Sequence, residues 1–257
     1  DRSWVDTALR TPADATTLPR MPPPACASDA PAAARLAVCL LGRFAVSVDS
    51  AELPAAAWPS LRAQHLVQLL SLRPHQRMTR DEAIDMLWPE LGPDAGAANL
   101  RKAVHHARQA LGRHDAIGLQ AGELSLWPDK PLAVDVHDFG RRAEAALATG
   151  DAEACATAAD TWAGELLPGA RFEPWAEADR ERLHARQAQL LRTAAQWERL
   201  ALLEPEDEPS HRALMQRELD AGNRAAALRW YAHLREALQQ NLGMRPDAAT
   251  EALYERC

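Results

Sequence analysis

The sequence predicts a mainly α fold in two parts, a small α+β unit with short strands followed by an all-helical unit. Three observations predict it. Strand-like apolar segments gather near Leu36 to Val48 and near Ile117 to Trp127, while most other segments repeat every three or four residues. A length of 257 residues allows about two domains. Charge also divides along the chain: residues 37–132 carry ten Lys and Arg against ten Asp and Glu, and residues 137–257 carry fifteen against twenty-one. The whole chain has a net charge of −7, with 47% hydrophobic and 25% charged residues, a soluble globular composition. Its longest apolar runs, such as Leu36 to Leu41, fall far short of the ~18 residues of a membrane span, so no membrane partner is expected.

Residues 1–35 hold Pro12, Pro19, Pro22, Pro23, Pro24 and Pro31 among small residues, with no apolar period, and read as a disordered leader. They do not look like a secretory signal, and the chain lacks an initiator Met. Cys26, Cys39, Cys155 and Cys257 form no CxxC pair or zinc-finger spacing, which points to a reduced, cytoplasmic setting without a metal site.

The first unit spans 36–132. Leu36 to Leu41 reads as a strand, Gly42-Arg43 as a turn, and Phe44, Val46 and Val48 as the inward face of a second strand. A short edge strand follows near Glu52-Leu53 before Pro54. Pro59-Ser60 opens a helix whose Leu61, His65, Leu66, Leu69 and Leu70 share a face, and Pro74 stops it. Thr79-Arg80-Asp81-Glu82 is a capping box, in which hydroxyl and carboxylate each satisfy an orphaned N–H. It opens a second helix with Ile84, Leu87 and Trp88 on its apolar side and Pro89 at its end. After Gly92-Pro93-Asp94 a third helix runs to Leu111 and Gly112, followed by Ile117–Leu119 and Leu124–Trp127 joined through Ala121-Gly122. Strands, three helices and a hairpin are the order of a winged helix-turn-helix with an N-terminal sheet.

At about 100° per residue, Val104, Ala107 and Leu111 lie within about 40° of Leu100 on the third helix, leaving Arg101, Lys102, His105, His106, Arg108 and Gln109 on the remaining arc. Arg and Lys reach guanine edges and phosphates, and Gln pairs with adenine, so the helix suits the major groove. From Pro93 to His114 there are four Lys and Arg and three His against Asp94 alone. An ordinary solvated helix face is the competing reading of the same residues.

The second unit, 133–257, reads as successive helices. Phe139–Leu147 precedes Thr149-Gly150, and Ala152–Leu167 precedes Pro168-Gly169. From near Pro174 to Pro205, Leu183, Leu190, Ala194, Trp197 and Ala201 form the buried stripe of one long helix. Helices around His211–Leu219 and Asn223–Leu242 follow, and Gly222, Ala227, Leu228 and Tyr231 have the spacing of tetratricopeptide-type repeats, with a non-repeat bundle as the alternative. A C-terminal extension is possible, since Cys257 directly follows a helical segment.

These residues also resemble a known family. Leu40-Leu41-Gly42-Arg43-Phe44, Arg80-Asp81-Glu82 with Leu87-Trp88-Pro89-Glu90, and Asn99-Leu100-Arg101 through Arg108-Gln109-Ala110-Leu111-Gly112 are similar to the DNA-binding half of the Streptomyces antibiotic regulatory protein family. Gly164 to Pro168, Trp175-Ala176-Glu177 with Arg180 to Leu183, His211 to Met215, and Gly243 to Pro246 resemble the bacterial transcriptional activator domain. The resemblance covers about 37 to 257 and implies an OmpR-type winged helix followed by a tetratricopeptide-like domain. It implies an activator on direct-repeat operators, with duplex DNA, RNA polymerase and a second copy on the adjacent repeat as partners. The segment Ala97–Leu111 would be the recognition helix, with Arg101, His105, His106 and Arg108 facing DNA, and Gly122–Trp127 the wing. Lys102, Gln109, Thr79 and Arg80 complete the expected DNA-binding set.

Three departures from the family pattern stand out. Gly122-Glu123-Leu124-Ser125 replaces a wing of the form Gly-Tyr-Arg-Leu, which puts an acid where a ring and a cation are expected. Ala107 replaces a larger anchor. The stretch from Leu183 to Pro205 is short for a helical hairpin, which is therefore truncated or merged into one helix. Other function classes find less support. A regulatory module of a larger signalling ATPase is the second reading, although no G-x-x-x-x-G-K-[ST] loop is present. An enzyme is not expected, nor a cofactor: His105-His106 are adjacent rather than at zinc-binding spacing, and Asp135, His137 and Asp138 read as a solvated turn. Glu177, Asp179 and Arg180, beside Trp175, are the expected exposed contacts to protein.

Overall fold

A computed structural model describes residues 35–257, so the leader expected over 1–35 lies, but for Arg35, outside the described residues. The alternation noted above builds a four-stranded sheet in the order β3 (Ala51–Glu52), β2 (Ala45–Val48), β1 (Leu36–Cys39) and β7 (Leu132–Val134). β1 is antiparallel to β2, with Leu36 opposite Val48, and parallel to β7, with Val38 opposite Val134. A second sheet has the order β4 (Arg77–Thr79), β6 (Glu123–Leu126) and β5 (Ile117–Gln120).

Helix α1 (Leu61–Leu72) precedes β4 in sequence, and α2 (Arg80–Leu87) and α3 (Pro93–Ala110) lie between β4 and β5. Two details differ from the helical pattern in the sequence. Leu61 is 60% exposed, and Gln68 and Ser71 are buried along with the leucines and the expected His65, so α1 is enclosed on nearly all sides rather than along one stripe. The capping box of α2 forms as expected: Thr79 Oγ1 accepts from the Glu82 N–H at 3.2 Å, and the Glu82 carboxylate accepts from the Thr79 N–H at 2.8 Å. Gly96 lets α3 approach α2 closely, since a Cβ there would lie 2.4 Å from Ile84 Cγ2.

The remainder is helical: α4 (Asp135–Thr149), α5 (Ala152–Ala159), α6 (Glu177–Thr193), α7 (Trp197–Leu203), α8 (Glu208–Asp220), α9 (Arg224–Ala237) and α10 (Ala248–Glu255). Each packs on the next in series. The single long helix expected from Pro174 to Pro205 is instead two helices. The chain turns at Ala194 to Gln196, where Ala195 takes a left-handed φ of 52°. The hairpin is therefore short but present. The helix expected over Ala152–Leu167 ends at Ala159, because Leu166 leaves to form a β-bridge with Leu41. The helix expected over Asn223–Leu242 closes with a π turn at Leu238–Leu242.

The seam between the two parts is built from buried polar contacts. Asp135 is not in a solvated turn. Its carboxylate accepts the Leu40 and Leu41 N–H groups at 2.8 and 2.9 Å and that of Val136 at 2.8 Å. Burial pushes its pKa up to about 6, against the pull of those donors. His137 Nε2 lies 2.8 Å from the Ser71 carbonyl oxygen, a further contact across the seam. Gly42 and Gly164 touch backbone to backbone: a Cβ on Gly42 would lie 2.5 Å from the Ala163 carbonyl oxygen, and both glycines have positive φ, +73° and +138°. On the other side of α1, Glu173 faces Arg62 at 3.5 Å and His65 at 3.6 Å while accepting from Trp175 Nε1 at 3.0 Å. One buried apolar cluster runs without interruption from Leu36 to Leu200, and a smaller one joins Met215, Ala227, Tyr231, Leu253 and Cys257.

Candidate nucleic-acid interface

Local chemistry determines where α3 starts and stops. Gly92 precedes it, Pro93 occupies its first turn where no N–H is needed, and Asp94 sits by the positive end of the helix dipole. Gly96, Leu100, Ala103, Val104, Ala107 and Ala110 are buried. Ala107 has no exposed surface at all, so the small residue sits at a close contact rather than at the edge of the core.

The solvent arc of α3 presents Arg101, Lys102, His105 and Gln109, all exposed. His106 and Arg108 are half-buried and differ from the other four. Arg108 turns back on the protein, where Nε and Nη2 donate to the Ile117 carbonyl oxygen at 3.1 and 2.6 Å and tie α3 to the first strand of the hairpin. The Nδ1 of His106 is buried, and its ring lies 5.8 Å from that of His105. Thr79 spends its hydroxyl in the cap of α2, donating to Glu82 at 2.8 Å. The Arg80 backbone N–H donates to the Gly122 carbonyl oxygen at 2.9 Å, which seats the hairpin tip at the start of α2.

The hairpin turns through Ala121 and Gly122, both with positive φ, as a two-residue primed turn requires. Glu123 pairs with Arg77 at 3.4 Å, each about half exposed, so that the acid in the wing faces a cation of the same sheet. Such an exposed pair contributes about 0–1 kcal/mol. Below the turn, Asp115 binds both Arg113 (3.1 Å) and Lys130, and these two cations flank Trp127 at 5.5 Å each. Both partners hold the Asp115 carboxyl well below the usual carboxylate range. Sequence reasoning missed this cluster, since only Arg113 and Asp115 are neighbours in the chain.

The surface expected to meet protein is also rearranged. Asp179 pairs with Arg73 at 3.2 Å and Arg182 at 2.7 Å, and Arg180 donates to the carbonyl oxygens of Leu166 and Ala170 at 3.4 and 3.3 Å. Asp179 therefore serves the seam and Arg180 ties α6 to the loop before it, whereas Glu177 stays exposed. Phe172, 93% exposed on the preceding loop, is a surface residue the sequence reading passed over. A lone aromatic among turn residues has no period to announce it.

Comparison with known proteins shows what the chain is similar to. Residues 134–257 match the bacterial transcriptional activator domain, beginning within β7. Regulatory protein AfsR of Streptomyces coelicolor is 29% identical over 229 residues, which cover 79% of this chain and 22% of the relative. The chain is thus similar to regulatory proteins that carry a bacterial transcriptional activator domain. AfsR of Streptomyces griseus is 28% identical over 229 residues, 80% of this chain and 23% of that one. The chain thus spans less than a quarter of the length of either relative. Its fold is that of Mycobacterium tuberculosis EmbR, solved in complex with a low affinity phosphopeptide, with a TM-score of 0.60, 20% identity and coverage of 87% of this chain and 65% of the other. The matched domain and the relatives are regulatory by name. Among the described residues, no helix is long and apolar enough to cross a membrane.

Proposed function

We propose that this regulator binds duplex DNA by laying α3 in the major groove, with Arg101, Lys102, His105 and Gln109 as its base and phosphate contacts. One observation carries the reading: in a chain of net charge −7, the exposed side of α3 beyond its first turn bears two cations, a histidine and a glutamine with no acid among them. Such a face supplies phosphate attraction and base-edge donors on one rigid element. Arg108 acts by holding the hairpin to α3, and Thr79 by capping α2. The helical domain, whose acid excess repels phosphate, meets protein: RNA polymerase, and a second copy on the adjacent repeat of a direct-repeat operator. The setting is the bacterial cytoplasm.

Enrichment of genomic fragments on the purified protein, followed by footprinting, tests the proposal. Protection of direct repeats about one helical turn apart is expected, with affinity falling steeply between ~50 and ~200 mM salt. No protection, or binding indifferent to salt, would overturn it. A second reading, that the chain works as a regulatory module within a longer signalling protein, draws support from the relatives, of which it covers 22% and 23%.

A further inference from the structure

The arginines of α9 behave unlike most of those on α6 to α8. On α6 to α8, Arg180, Arg182, Arg192, Arg199, Arg212 and Arg217 are ion-paired within the chain, and the remaining Arg186 is half-buried. On α9, Arg224, Arg229 and Arg235 are exposed, and none of them has an ion-pair partner among the described residues. Arg235 lies over the ring of Tyr231, 5.9 Å from its centroid, which fixes its stem and leaves its charge outward. With the exposed His233, these arginines fall within an arc of about 180°. Residues 224–245 hold four arginines against the single acid Glu236, inside a domain with an overall acid excess.

The opposite end of the helical series has the opposite sign. Residues 138–160, which comprise most of α4 and all of α5, carry five acids against two arginines. Glu144 and Glu153 are exposed there and have no ion-pair partner among the described residues. Three helices, α6 to α8, separate the two ends in the packing series.

We infer that these ends join two copies of the chain head to tail, with α9 of one copy seated on the α4–α5 end of the next. The contact is heterologous: each copy offers one basic and one acidic end, so that joined copies keep the same orientation. Complementary charge selects this partner and register over a like-charged surface. The inference deepens the second-copy part of the proposed function and rests on it only for its setting, because the association itself needs no DNA.

Sedimentation velocity on the full chain, without DNA and at concentrations up to about 100 µM, tests it in the micromolar range usual for transient contacts. The wild-type chain should associate. R224E/R229E and E144R/E153R should each weaken association by roughly tenfold or more, since each places like charges in contact. All four positions are exposed, and circular dichroism should show both variants folded. An equimolar mixture of the two variants should associate again, because it recreates the wild-type junction and also sets the two reversed ends, now of opposite charge, against each other. A monomeric wild type over this range, association indifferent to both reversals, or no recovery on mixing would each overturn the inference. A loss of DNA affinity in R224E/R229E at concentrations where the chain is monomeric, with self-association unchanged, would overturn it too and assign α9 to phosphate. A chain that associates as described but footprints no operator would leave this contact standing while removing the DNA reading.

Discussion

Arg101 and Arg108 stand about two turns apart on α3 and differ by only about 20° around its axis, so a helical wheel cannot separate them. The structure does so through a partner outside the helix, the Ile117 carbonyl, which takes the guanidinium of Arg108 and leaves Arg101 in solvent. Their substitutions therefore have different expected outcomes. Arg101→Ala should weaken operator binding by about 1–3 kcal/mol with an unchanged melting temperature. Arg108→Ala should lower chemical stability by about 1–3 kcal/mol, the cost of a lost charge-assisted bond to a buried acceptor. Fluorescence anisotropy with an operator duplex and urea denaturation measure the two effects. Equal behaviour of the two variants in both assays would contradict the assignment. The same distinction explains what was legible at single residues. The cap formed by Thr79 and Glu82 is a contact across three positions and could be read directly. The Ile117 partner of Arg108, the Lys130 partner of Asp115 and the Arg73 partner of Asp179 come from other elements, and composition or period carries no trace of them.

Elements were legible where their ends are marked by residues that act locally. Pro93, the Ala121-Gly122 turn and the Gly150 stop all fall where the pattern placed them, because their backbone preferences do not depend on tertiary contacts. The turn between α6 and α7 carries no such mark. Leu183, Leu190, Ala194, Trp197 and Ala201 keep a helical period straight through it, and the chain reverses at Ala195 with no glycine or proline. An alanine in the left-handed region is strained by its Cβ, which glycine lacks. Ala195→Gly should accordingly stabilise the protein by about 0.5–1 kcal/mol, visible as a rise in the calorimetric midpoint, since the site is exposed and no packing is lost. A lower midpoint would mean that the α6–α7 turn is not held in this conformation. The early end of α5 was hidden for another reason. Leu166 fits a helical stripe as well as it fits a bridge to Leu41, and only the docked partner decides between them.

At the scale of the whole chain, the sequence shows two units through the change in charge, and it hides how they are joined. The joint is made by β7 completing the first sheet and by a carboxylate beneath it. Asp135 titrates in the folded protein at about 6, above its ordinary 3.8, because burial penalises the charged form. The folded state thus holds that proton more tightly than the unfolded chain. The stabilisation this contributes is full below about pH 4 and is lost as pH rises through about 6. Against Asp135→Asn, which cannot titrate, the wild-type midpoint should fall between pH 4 and pH 7, and parallel profiles would show that Asp135 is not the buried group described. The glycine contact, the carboxylate and the continuous apolar cluster together leave no hinge between α3 and the first helices that follow β7. If α3 lies in the groove as proposed, the helical domain becomes a pointer whose compass bearing that groove dictates. Inserting about 5 base pairs between operator and promoter should turn that pointer to the far side of the duplex and silence activation, whereas about 10 should bring it round again. A flexible tether would blur this rhythm. Transcription measured across a ladder of spacers should rise and fall with the pitch of the double helix, and a smooth decline would mean that the two parts swing freely.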